Sequence, residues 1–357
     1  MDTWTCESRI EHSFRRQVRR DRRVRRAFLL VQSDTRGVDV RIAEAGNGSH
    51  VHVDQPIHLA SVGKLFTATL VAILKERGEL NFTDEIGAYL DADVMAGLHV
   101  FQGRDYSKEI TVRQLLMQTS GLYDVFYPLW KKMAEDPSFR ITTTEAITWG
   151  KEHLKPVAEP GRKHHYTDTN YYLLGLIVES IAGKPFHEVM HELIFDPFGM
   201  SHAAMHGYSS PRDPSEHAPA GLYIGDIDFS TVPGAPAIDY AGGSVIAPLS
   251  DYLLFMKALT SHRIIREETL QQMINDDVYM GFPTVGFDYG YSIWKPRTIP
   301  VILPPKMRCW GCVGVTGAFM FYHPGTESHI IGTFNDFAYR GKALSFMVRN
   351  VIRELVR

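Results

Sequence analysis

Three short patterns in this sequence carry residue types that could do chemistry. Ser61-Val62-Gly63-Lys64 sets a hydroxyl and an amine three residues apart. In a helix such residues are neighbours on one face. A serine alone is a poor nucleophile and needs a base. A lysine serves if burial lowers its pKa toward neutrality, and a helix N-terminus favours the negative charge that develops on attack. By itself the pattern is weak, since about one S-x-x-K arises by chance at ordinary residue usage. His187-Glu188-Val189-Met190-His191 is a formal H-E-x-x-H, a zinc-binding spacing. Here Phe186, Val189, Met190, Leu193 and Ile194 form the apolar stripe, so both histidines are expected to face solvent. His202, His206 and His217 are the candidate third ligands, none at a useful spacing, and no metal is expected. Cys309-Trp310-Gly311-Cys312 is a C-x-x-C. A thioredoxin-like site would open a helix after a strand. This one follows Pro304-Pro305 and leads into a strand, so no redox role is expected, although a reversible disulfide across it stays open.

The elements that must hold these groups belong to a chain of 357 residues, 44% hydrophobic and 22% charged. That supports a large core and argues against disorder. Length suggests two domains or one fold with two lobes. A net charge of -3 argues against a globally basic nucleic-acid binder. The longest apolar stretch, Leu65 to Leu74, is too short to span a bilayer. Three cysteines are too few for a disulfide scaffold. No apolar leader with a small-residue cleavage site opens the chain. The expectation is a soluble cytoplasmic protein with neither a membrane nor a nucleic-acid partner.

Between Arg15 and Arg26, eight of twelve residues are arginine. A nucleic-acid arm and a transit segment are two readings. A helix is the favoured third, because Ile10, Phe14 and Val18 recur every four residues as one apolar stripe. Ala27–Gln32 and Val38–Ala43 read as strands of a hairpin around Asp34-Thr35-Arg36-Gly37. Helical patterns then dominate at Val62–Arg77, Val112–Gln118, Thr143–His153, Tyr171–Ile181 and Pro185–Ile194, with a Pro/Gly-rich loop from Ser209 to Tyr240. Strands return at Tyr291–Trp294, Ala318–Tyr322 and His329–Asn335. A closing helix carries Leu344, Met347, Val348, Val351, Ile352 and Leu355 on its apolar side. The economical fold is α+β. An antiparallel sheet from N- and C-terminal strands (1–60 and 285–357) is flanked by terminal helices, the middle (61–284) forms a helical lobe, and the site lies at their boundary.

The motifs in their order resemble one family. His58-Leu59-Ala60-Ser61-Val62-Gly63-Lys64 is similar to its nucleophile helix, and Leu115-Leu116-Met117-Gln118-Thr119-Ser120-Gly121-Leu122 to its L-L-x-H-T-S-G-L. Tyr166-Thr167-Asp168-Thr169-Asn170-Tyr171 resembles its Y-S-[ND]-x-[NG]-Y, and Asp196-Pro197-Phe198-Gly199-Met200 its P-L-G-M. Ala241-Gly242-Gly243 and Gly311-Cys312-Val313-Gly314-Val315-Thr316-Gly317-Ala318-Phe319 fit its C-terminal signatures. The family is the serine β-lactamase and penicillin-binding-protein-like superfamily, in its class C branch of β-lactamases, DD-peptidases, esterases and some acyltransferases. The resemblance covers about Ala27 to Val351 and implies the β-lactamase/transpeptidase-like fold.

By that resemblance Ser61 is the acylated nucleophile, Lys64 and Tyr166 are its acid/base partners, and no cofactor is needed. A tyrosine near cations loses its proton more readily, so a tyrosinate or a neutral lysine is expected to take the Ser61 proton. Backbone N–H groups of Ser61 and Val315 would form the oxyanion hole, with Gly314 beside them. Asp168 would face the substrate amide or hold Lys64 by charge. The third motif departs from the family: its usual lysine or histidine is Cys312, which brings no positive charge. Anionic substrates such as penicillins are therefore expected to be poor, and neutral esters or amides better. The expected activity is a serine hydrolase acting through an acyl-enzyme on a small-molecule ester or amide. The alternatives are an acyltransferase with an alcohol or amine acceptor, and a non-catalytic ligand-binding relative.

Overall fold

The computed structural model of the chain describes residues 4–21, 24–46, 50–298 and 303–357. The first helix, Cys6–Arg20, starts at Thr5, whose side chain accepts the Ser8 N–H at 3.1 Å and so satisfies one of the open donors of the first turn. Ile10, Phe14 and Val18 are buried on the sheet, as their spacing requires. The arginines around them are a solvated face. Arg15 pairs with Glu44, and Arg25 pairs with Asp226 at 2.7 Å, while Arg22 and Arg23 lie outside the described residues. Phe14 packs against Phe334 and Phe346 with ring centroids 5.7 and 5.9 Å away. Phe14→Ala is therefore expected to cost about 3–5 kcal/mol in denaturant unfolding, whereas Arg16→Ala, on the exposed side, should stay within about 0.5 kcal/mol.

The main sheet has eight strands. They are β1 (Arg26–Ser33), β2 (Val38–Ala45), β3 (Val278–Tyr279), β4 (Phe287–Tyr289), β5 (Trp294–Pro296), β6 (Trp310–Gly314), β7 (Ala318–His323) and β8 (Ser328–Thr333). Their order is β3-β4-β5-β6-β7-β8-β1-β2, and every pairing is antiparallel. N- and C-terminal strands meet where β1 pairs with β8, Phe28 opposite Thr333. Side chains alternate between two cores, as period two demands. Ala27, Leu29 and Val31 pack under the first and last helices. Phe28 and Leu30 face the large core shared with the middle helices. The C-terminal strands of the sheet begin at Val278–Tyr279, a few residues ahead of the expected position 285.

Two expectations need correction here. Tyr291–Trp294 is not one strand: Tyr291, Ser292 and Ile293 are the turn between β4 and β5, closed by the Gly290 N–H on the Ile293 carbonyl at 2.8 Å, and only Trp294 is strand, as the first residue of β5. Tyr291 and Ile293 are buried, so a turn packed into the core imitates a strand pattern. The span from Ser209 to Tyr240 is not wholly loop, for it holds a small hairpin, Tyr223–Ile224 with Ile227–Asp228, and the helix Ala235–Gly243 begins inside it.

The remaining helices fall near their expected places, including Gly63–Glu76, Thr143–His153, Thr169–Ala182 and the run from Arg340 to Leu355. Cys309 and Cys312 are both free thiols. They pack into different cores, which removes the disulfide across the C-x-x-C. No helix among the described residues is long and apolar enough to cross a membrane.

Candidate active site

Ser61 sits in a tight turn, Ala60–Val62, that opens directly into the buried helix Gly63–Glu76. The short strand Ile57–His58 leads into the turn and pairs with Val245–Ala247. Two glycines let three backbones converge here. A side chain at Gly243 would come within 2.3 Å of Asp239 Oδ1 and 3.1 Å of the Ala60 carbonyl carbon, and one at Gly314 within 2.2 Å of the Leu59 oxygen. Strand β6 is thereby held against the nucleophile turn, and the Cys312 thiol donates to the Ser61 carbonyl at 3.3 Å.

Lys64 is fully buried. Its Nζ donates to Ser61 Oγ at 3.1 Å, to the Gly242 carbonyl at 2.8 Å, and to Asp168 Oδ1 in a close ion pair. Three acceptors match the three donors of an ammonium. Burial alone pushes Lys64 down, but the charge and hydrogen bond of Asp168 outweigh it and hold the amine above its usual value. The expectation of a lysine neutralised by burial is thus overturned, because its counter-ion is buried with it.

The Tyr166 ring lies 5.2 Å from Lys64 Nζ and lines the same cleft as Ser61. Its phenol is pushed well above 10 by burial first, then by Asp168 and Cys312, against a smaller opposing effect of Ser61. The expected tyrosinate is overturned too. The cation that would favour it is already paired, and Asp168 repels it.

Asp168 is the anion left in this set. Burial raises its carboxyl, and the Lys64 charge opposes the rise. Behind it stands Asp124, whose Oδ1 accepts the Asp168 N–H at 3.0 Å. Burial, followed by repulsion from Asp168, pushes Asp124 up to about 7. Nothing in the sequence marks Asp124 beyond its place two residues after a family motif. That motif is a buttress. Gln118 Oε1 accepts from the Thr167 N–H at 3.0 Å and from Asn170 Nδ2 at 2.6 Å, and Ser120 donates to Asn170 at 2.6 Å. These bonds fix the segment that carries Tyr166 and Asp168.

Ser61, Tyr166, Asp168, Gly314 and Val315 line one cleft of about 750 Å³, while Lys64 and Cys312 lie buried beside Ser61. The walls are mainly apolar, with Phe126, Phe229, Trp294 and Leu344 among them. Cys312 is a neutral thiol, pushed up to about 12 by burial despite Lys64. The cations on the cleft wall are arginines of other elements, Arg297, Arg340 and Arg349, all exposed. His187 and His191 are half-buried rather than facing solvent. His187 stacks on Tyr208, and His191 Nε2 meets Ser209 Oγ at 2.9 Å. Three other groups, His58, His206 and Asp239, bring potential ligand atoms within 4.8 Å of one another. The tautomer of His58 opposes a metal there. Its Nδ1 accepts the Ala60 N–H at 2.9 Å, so the proton sits on Nε2, 2.6 Å from Asp239, and a metal would need that lone pair.

A family model described as Beta-lactamase matches residues 14–345. Penicillin-binding protein 4* of Bacillus subtilis (strain 168) is 29% identical over 178 residues, 48% of this chain and 35% of that protein, so the match spans about a third of that relative's length. The D-stereospecific amidohydrolase from Streptomyces sp. superposes with a TM-score of 0.77 at 22% identity, covering 96% of this chain and 98% of the other. The D-amino acid amidase from Ochrobactrum anthropi SV3, complexed with L-phenylalanine, gives 0.78 at 19% identity, covering 98% of each chain.

Proposed function

The chain belongs to the beta-lactamase family and has its α+β, β-lactamase/transpeptidase-like fold, and on that premise we propose that it cleaves small-molecule esters or amides through an acyl-enzyme on Ser61. The observation that carries this reading is the Ser61 hydroxyl at the cleft wall, hydrogen-bonded to a buried Lys64 that is itself paired with Asp168.

The resting protonation states, ammonium, carboxylate and phenol, dictate the proton path. As Ser61 Oγ bonds to the acyl carbon, its proton passes to Lys64 Nζ while Lys64 releases one to Asp168 Oδ1. Lys64, having gained one proton and given one up, remains an ammonium, while the Asp168 carboxylate becomes a neutral acid, so the cation is left to face the negative charge that develops on the substrate. Negative charge moves to the carbonyl oxygen, and the family resemblance assigns the N–H groups of Ser61 and Val315, both on the cleft wall, to receive it. When the bond to the leaving group breaks, that group takes the Tyr166 proton, and the proton stored on Asp168 returns through Lys64 to restore the phenol. Water attacks the acyl-enzyme by the reverse path and releases Ser61. An alcohol or amine bound in the apolar cleft would turn the same step into acyl transfer. We place the site at the seam of the sheet half (1–60, 278–357) and the helical half (61–277), and the protein in the cytoplasm.

Substrate preference follows from Cys312. A neutral thiol replaces the cation that would meet a substrate carboxylate, and one charge-assisted hydrogen bond is worth about 1.5–3 kcal/mol, or about 10–100-fold. A short neutral acyl ester is expected to exceed a cephalosporin in kcat/KM by at least that factor. Faster cephalosporin turnover would refute this specificity.

A further inference from the structure

The residue before the nucleophile is strained. Ala60 has φ +49, a left-handed conformation that costs an L-residue about 1–2 kcal/mol and is kept only where the surroundings impose it. Its amide N–H is held by His58 Nδ1 at 2.9 Å, and His58 Nε2 in turn donates to Asp239 Oδ2 at 2.6 Å. His58 is 1% exposed and Asp239 7% exposed. Asp239 lies on the segment Ala235–Gly243, which also supplies the Gly242 carbonyl to Lys64 Nζ at 2.8 Å and the Ala241 carbonyl to Thr67 Oγ1 at 2.6 Å. One segment therefore grips both the turn that carries Ser61 and the amine that activates it.

We propose that His58 and Asp239 are positioning residues: the dyad pins the Ala60 amide, and with it the Ser61 hydroxyl and N–H, in the geometry required for attack. The proposal rests on Ser61 as nucleophile. The imidazole is suited to the task because its two nitrogens face opposite ways, one accepting and one donating, so it bridges a backbone N–H and a carboxylate that do not meet directly. His206 lies edge-on to His58 at 6.0 Å, with Nε2 on the Ser230 carbonyl at 3.0 Å. It closes the far side of the dyad without competing for either His58 nitrogen.

The test is single-turnover acylation with a p-nitrophenyl ester, with KM and melting temperature measured alongside. His58→Leu removes the acceptor. A misplacement of the nucleophile by a fraction of an ångström to an ångström costs up to about 100-fold, so acylation should slow 10–100-fold with KM little changed. His58→Asn keeps an acceptor oxygen where Nδ1 sits and should recover to within about fivefold of the native rate. A merely structural histidine would not make that distinction at equal melting temperature. Equal rates for the Leu and Asn variants overturn the proposal. So does loss of native activity in a chelator with restoration by zinc, which would make the cluster a metal site. If His58→Leu does not fold, Asp239→Ala takes its place, with slowed acylation expected and a native rate contradicting. Ser61→Ala run in parallel separates the premises: full activity in that variant defeats the nucleophile assignment and leaves the dyad's packing role standing.

Discussion

Ser61→Ala is expected to lower kcat/KM for a p-nitrophenyl ester by about 10⁴-fold or more, with the fold intact. Removing the nucleophile of a covalent mechanism leaves only binding and oxyanion stabilisation, and losses of that order follow. The side chain is small and partly exposed at the cleft, so the change in unfolding free energy should stay within about 1 kcal/mol. Lys64 keeps Asp168 and Gly242 as partners in the variant, which is why stability and activity separate. Steady-state kinetics and denaturant unfolding of one preparation check both halves.

Asp168→Asn is expected to act through the pH profile. In the native chain Asp168 must be ionised to receive the Lys64 proton, so activity falls as pH drops through its folded pKa. Burial raises that pKa, which sets the acid limb above the ordinary carboxylate range. Asp124, pushed up to about 7, is neutral below that point and adds no repulsion there. In the variant the acceptor is gone, and the base must be a neutral Lys64. Without Asp168, the burial that lowers Lys64 acts against only the smaller effects of Tyr171 and Cys312. The acid limb then moves up to the lysine pKa, and activity is lost as pH falls through that higher value. At pH 6 the variant should be down by about 10²–10⁴-fold, the usual weight of a general base, and it should recover as pH rises toward 9. An unshifted acid limb would remove Asp168 from the proton path.

What the sequence made readable depended on how local the cause was. Ile10, Phe14 and Val18 specify their helix by spacing alone, and the hairpin around Asp34–Gly37 by its turn residues. Ser61 and Lys64 meet because three residues in a helical turn must, so that pair was legible as geometry. Their protonation was not. Lys64 is held charged by a carboxylate 104 positions away, and the spacing that suggested a base says nothing of that partner. Tyr166 failed for the same reason, since its environment is set by Asp168 and by Cys312 on another strand. His58 and Asp239 left no signal, being 181 positions apart and joined only when Ile57–His58 pairs with Val245–Ala247. The turn at Tyr291 shows the opposite error, in which alternating apolar residues met the pattern of a strand while the backbone reversed.

The central claim is a covalent intermediate on one named oxygen. Rapid quenching of the protein with an acyl ester, followed by intact mass and peptide mapping, tests it most directly. The account predicts a single added acyl group on the peptide that contains Ser61, absent from Ser61→Ala and discharged by water or an added alcohol. Turnover with the added mass on any other residue, or with none at all, would contradict it.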